Sequence, residues 1–83
     1  SYVFVNGDVQ SPFRFELAND IKTLFDLARV AGAKPIVTNA ILRSYGTDHK
    51  LEVSANNKMQ FYKVLLKTGD EVQINPEYIS QTI

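Results

Sequence analysis

Cysteine and tryptophan are absent from this chain of 83 residues, and histidine occurs once, at position 49. Without a thiol there is no disulfide framework, no thiolate metal site and no cysteine redox couple. A single imidazole cannot furnish a two-histidine metal site or a histidine dyad, so neither a metal nor another cofactor is expected. An excess of one charge is also missing: nine basic and nine acidic residues cancel and lie interspersed. No long-range field gathers phosphates or anionic lipid, and nucleic acid is not an expected partner. Apolar runs fall well short of the ~20 residues a spanning helix requires, so direct membrane insertion by this segment is not expected. Four scattered glycines make no phosphate-binding loop. Ser11, Ser44, Ser54 and Ser80 lack a Gly-x-Ser-x-Gly setting, and no carboxylate pair stands out. Asp8, Asp20, Asp26, Asp48 and Asp70 fall at expected turns or on a helix face, where capping and solvation account for them. His49, between Asp48 and Lys50, reads as a solvated side chain at a turn. No catalytic residue emerges, and the chain is expected not to be an enzyme.

What is present is a globular composition: 45% hydrophobic residues, with five Phe and four Tyr. At this length a chain buries only about 60–65% of its unfolded surface, enough for one modest core. Residues 2–5 are apolar throughout and stop at Asn6-Gly7-Asp8, predicting a strand buried on both faces. Phe13, Phe15 and Leu17 alternate with Arg14 and Glu16, the period of a strand with one face inward, and the two segments form a hairpin. Asn19-Asp20 supplies capping oxygens, and Ile21, Leu24, Phe25, Ala28 and Ala31 recur at helical spacing, predicting one helix over 20–31 with Lys22, Asp26 and Arg29 in solvent. Gly32 suits the left-handed residue after it, and Pro35 stops a restart. A second hairpin joins a strand over 41–45, a turn at Gly46-Thr47-Asp48, and Leu51 and Val53 in alternation. Residues 61–66 fit a short strand or a helical turn. Residues 67–70 are a turn, and Val72 and Ile74 flank Gln73 in a last strand that Asn75-Pro76 ends.

Two hairpins around one helix, closed by a last strand, predict an α+β chain of β-grasp type: a mixed sheet of about five short strands wrapped around the helix. A ferredoxin-like arrangement would need a second full helix where only 61–66 is available. The domain is expected over 1–75, with 76–83 a tail or the start of a linker. A chain that opens on a strand-like run without an initiator Met is expected to be a piece of a longer protein.

With these elements in place, three segments are similar to a known family. Tyr2-Val3-Phe4-Val5-Asn6-Gly7-Asp8-Val9-Gln10-Ser11-Pro12 resembles its opening strand, Gly-x-Val turn and following Pro. Residues 23–32, ending Ala31-Gly32, resemble its helix. Val64-Leu65-Leu66-Lys67-Thr68-Gly69-Asp70-Glu71-Val72-Gln73-Ile74 resembles its Leu-x-x-Gly-Asp-x-Val closing strand. The family is the SLBB domain, the soluble-ligand-binding β-grasp module of bacterial polysaccharide export proteins. The chain departs from its pattern at Phe13 and Ala33, where the family has glycine. The resemblance implies a binding or assembly module in the bacterial cell envelope. Its partners would be neighbouring domains or subunits, a ring-forming homo-oligomer in the full-length protein, and a polysaccharide. The alternatives are a small-ligand or protein-binding β-grasp domain, or a structural subunit of another secretion or viral assembly.

Structural parts are expected of Gly7 and Gly32 (positive φ), of Gly69-Asp70 (a tight turn) and of Pro12 (the start of an edge strand). Candidate contacts for a ligand or partner are Arg43 and Tyr45, on one face of their strand, with Phe13, Tyr62 and Tyr78 where exposed, since aromatics beside Arg stack on sugar rings or anchor proteins. The competing reading places Phe13 and Tyr62 in the core.

Overall fold

The computed structural model describes residues 1–18, 20–34 and 36–76. It is an α+β chain in which five strands form one mixed sheet and two short helices accompany it. The elements are β1 (Tyr2–Gly7), β2 (Phe13–Glu16), α1 (Leu24–Ala31), β3 (Asn39–Ser44), β4 (Thr47–Glu52), α2 (Lys58–Tyr62) and β5 (Glu71–Ile74). The sheet order is β2-β1-β5-β3-β4. Strands β1 and β5 run parallel at its centre, and every other neighbouring pair is antiparallel.

One face of the sheet carries the core. Val3 and Val5, Val72 and Ile74, and Ala40 and Leu42 alternate inward from the three central strands and pack with Leu24, Leu27 and Ala31 of α1. The other face has no helix over it among the described residues. Tyr2 and Phe4, expected to be buried with their neighbours, are therefore 41% exposed each. Likewise Phe13, expected to point inward, shares the face of Val5 but stands on the outermost strand, where nothing covers it and 71% of its surface is exposed.

Helix α1 begins four residues later than its spacing predicts. Thr23 caps it: the Thr23 hydroxyl accepts from the Asp26 amide at 3.2 Å, and Asp26 Oδ2 accepts from the Thr23 and Lys22 amides at 3.1 and 3.0 Å. This reciprocal capping satisfies donors that Asp20 does not reach. Those backbone hydrogen bonds hold the Asp26 carboxyl below its ordinary pKa. Asn19 lies outside the described residues. Thr23→Ala is expected to lower stability by about 1 kcal/mol, read as a shift of the urea midpoint at unchanged slope. Gly32 ends the helix in the left-handed region, at φ 70°.

The β3–β4 turn is tighter than predicted. Tyr45 and Gly46 both have positive φ (53° and 78°) and connect Ser44 directly to Thr47, the two-residue geometry whose twist matches the strands. Asp48 and His49 therefore belong to β4 rather than to a turn. Residues 61–66 resolve into the end of α2 and an extended stretch, in which Leu24 N donates to Val64 O and Leu66 N to Lys22 O, tying this segment to the start of α1. Asp70, expected to be solvated, is only 2% exposed. Its Oδ2 accepts from the Lys67 amide at 2.8 Å and closes the turn at Gly69. Pro35, Tyr78, Ser80 and the tail over 77–83 lie outside the described residues.

Candidate functional site

The exposed side of the sheet draws its residues from all five strands. Outward alternation places Tyr2 and Phe4 of β1, Arg14 of β2, Glu71 of β5, and Arg43 of β3 on this face, with Asp48 of β4 opposite Arg43. Arg14 is directly opposite Phe4 and diagonal to Tyr2, a distance that long side chains bridge. Its guanidinium carbon lies 4.5 Å from the Tyr2 ring centroid and 5.8 Å from that of Phe13. The electron-rich ring face thus holds a cation beside two exposed aromatics.

On the far side of β5, Arg43 and Asp48 form a forked pair, with Nε to Oδ1 at 2.7 Å and the second nitrogen to Oδ2 at 3.3 Å. The hydrogen bond raises the Arg43 pKa above its ordinary value, aided by the charges of Asp48 and Glu71. The same bond draws the Asp48 carboxyl below its ordinary value. Both side chains remain about half exposed, so the pair orients a planar guanidinium at the surface and contributes little stability. Tyr45 stands at the hairpin tip, 83% exposed, with Lys67 Nζ 5.6 Å from its ring centroid.

The four candidate contacts that lie among the described residues are not brought to one place. Arg43 and Tyr45 share one end of the β3–β4 hairpin. Phe13 is three strands away on the opposite edge of the sheet. Tyr62 is on α2, half-buried, with its ring edge-on to Phe25 at 5.7 Å and to Phe61 at 5.0 Å. Gly7, Pro12, Gly32, Gly69 and Asp70 lie at turns, caps and strand starts. Tyr2 and Phe4 were missed as surface residues, and Arg14, read on the outward face of its strand, was missed as a candidate contact. Nothing local marked the two aromatics of β1 as exposed, because Tyr2-Val3-Phe4-Val5 is apolar on both faces and the placement of α1 decides which is covered.

Among the described residues no group of three or more His, Asp or Glu side chains is placed to hold a metal ion, and no helix is long and apolar enough to cross a membrane. No family model and no curated protein matches the chain. The outer face presents exposed aromatic rings, two guanidinium groups and carboxylates on one sheet.

Proposed function

We propose that this chain is a β-grasp module of the SLBB type, a non-enzymatic binding and assembly domain of a larger protein of the bacterial envelope that takes part in polysaccharide export. The observation that carries the reading is the sheet order. Two antiparallel hairpins, β1–β2 and β3–β4, flank a last strand that runs parallel to the first, with α1 packed across one face. Together with the three resembling segments, this arrangement supports a fold used to present a surface rather than to enclose a reaction. The outer face supports direct contact with a sugar chain: Tyr2 and Phe4 supply ring faces, and Arg14 and Arg43 supply donors suited to carboxylates on an acidic polymer.

The test is an NMR titration of the labelled chain with a panel of neutral and acidic bacterial oligosaccharides up to millimolar concentration. The expected result is saturable amide shifts on β1, β2 and the end of β3, reduced at least tenfold in apparent affinity by Tyr2→Ala combined with Arg14→Ala. An absence of shifts across the whole panel would remove direct sugar recognition and leave a scaffold whose partners are protein domains.

A further inference from the structure

Strand β4 is the longer of the two sheet edges, six residues against four in β2. Among the described residues no strand neighbours it on the side away from β3. The direction of its backbone groups follows from its ladder. Val53 N donates to Thr38 O at 2.9 Å, and the register continues through Ala40↔Leu51, Leu42↔His49 and Ser44↔Thr47. Hydrogen-bonded pairs alternate with non-bonded pairs in an antiparallel ladder, so Thr47, His49 and Leu51 direct their backbone groups to β3. Asp48, Lys50 and Glu52 direct theirs outward. The Glu52 carbonyl is occupied by Asn57 Nδ2 at 2.9 Å, which leaves Asp48 and Lys50 as the open section of the edge.

Charge then selects the register in which a second copy can add. Two copies related by a twofold axis pair antiparallel, and outward groups must meet outward groups. An axis through Lys50 sets Lys50 against Lys50 and Asp48 against Glu52, and an axis through Asp48 sets Asp48 against Asp48. Like charges directly opposite oppose pairing. An axis through Leu51 sets Lys50 against Glu52 but requires the carbonyl that Asn57 already holds. An axis through His49 sets Asp48 against Lys50 twice, and each of these pairs exchanges both backbone hydrogen bonds.

We propose that β4 is a self-pairing edge, at which two copies of this chain join antiparallel about His49 with Asp48 of each opposite Lys50 of the other. The proposal narrows the assembly reading above to one contact and rests on it. The alternating charges thereby serve specificity: charged edges deter indiscriminate strand addition, and this sequence leaves one register open. The β2 edge carries a shorter alternation, Arg14 and Glu16. It follows Pro12, which has no N–H, and its guanidinium is held over Tyr2. The β4 contact is small for a protein interface, so it is expected to be weak in a single pair and to gain strength when several copies are held together.

The chain has no cysteine, which allows a clean positional test. In the proposed register the two His49 Cα atoms face each other at about 4.5 Å as a non-hydrogen-bonded pair, within disulfide range. The two Thr47 Cα atoms are roughly 14 Å apart. Under mild oxidation, His49→Cys is expected to form a linked dimer at least tenfold faster than Thr47→Cys. Asp48→Lys and Lys50→Asp are each expected to abolish the concentration-dependent amide shifts of β4, and an equimolar mixture of the two is expected to restore them, because each variant then meets its opposite charge. Equal cross-linking of the two cysteine variants, or self-association of either charge variant alone, would overturn the proposal. Concentration-dependent shifts on another surface would overturn this contact while retaining assembly. The oligosaccharide titration, repeated on Lys50→Asp, tests the sugar-binding part of the functional reading independently of this edge.

Discussion

Replacing Gly7 by alanine is expected to remove about 3–5 kcal/mol of stability, a large part of the roughly 4–12 kcal/mol available to a domain of this size. Two effects coincide. Gly7 has φ +96°, a conformation that side chains resist, and a Cβ built there would overlap the Ile74 carbonyl oxygen of β5. That oxygen cannot retreat cheaply, because it accepts from the Asp8 amide at 3.0 Å and belongs to the central parallel ladder. Gly46→Ala separates the two effects. Its φ is +78°, but nothing lies within 4 Å of the added atom, so it should cost only about 1–2 kcal/mol. Urea unfolding of both variants checks this. A Gly7→Ala loss no greater than that of Gly46→Ala would mean that the β1–β5 approach yields readily to a methyl group.

Gly7 also marks how far the sequence could be read. Its position after an apolar run and before Asp8 indicated positive φ, which is a local property. The reason no side chain fits is Ile74, far along the chain, and that contact exists only once β5 has inserted beside β1. The same division holds elsewhere. The number, order and type of the strands were legible because alternation, turn residues and Gly32 are local signals. Which face of β1 would be left open was not legible, since Tyr2-Val3-Phe4-Val5 is apolar on both sides and only the placement of α1 decides between them. The turn was misplaced because Tyr45 adopts φ 53°, a conformation that a tyrosine does not advertise. Of the candidate contacts, Arg43 and Tyr45 were legible together because they share one hairpin. Arg14 and Tyr2 required the β1–β2 register before their stacking could be seen.

Helix α1 yields the second large expectation. Its spacing admits two apolar stripes, one through Leu24, Phe25 and Ala28 and one through Leu24, Leu27, Ala28 and Ala31. The expected face, Ile21, Leu24, Phe25, Ala28 and Ala31, included Phe25 and left out Leu27. In the structure Leu27 is fully buried and Phe25 is 52% exposed, since capping at Thr23 and the ties of Leu24 and Lys22 to residues 64–66 set the rotation of the helix over the sheet. Leu27→Ala should therefore cost about 3 kcal/mol, from lost transfer energy and from a cavity that the rigid sheet cannot fill. Phe25→Ala removes the edge-on contact with Tyr62 and part of a ring already in water, and should cost about 1 kcal/mol. The comparison is made by urea unfolding monitored through far-UV circular dichroism. A reversed order, with Phe25→Ala the more damaging, would place the helix roughly 60° from this rotation and return the aromatic stripe to the core.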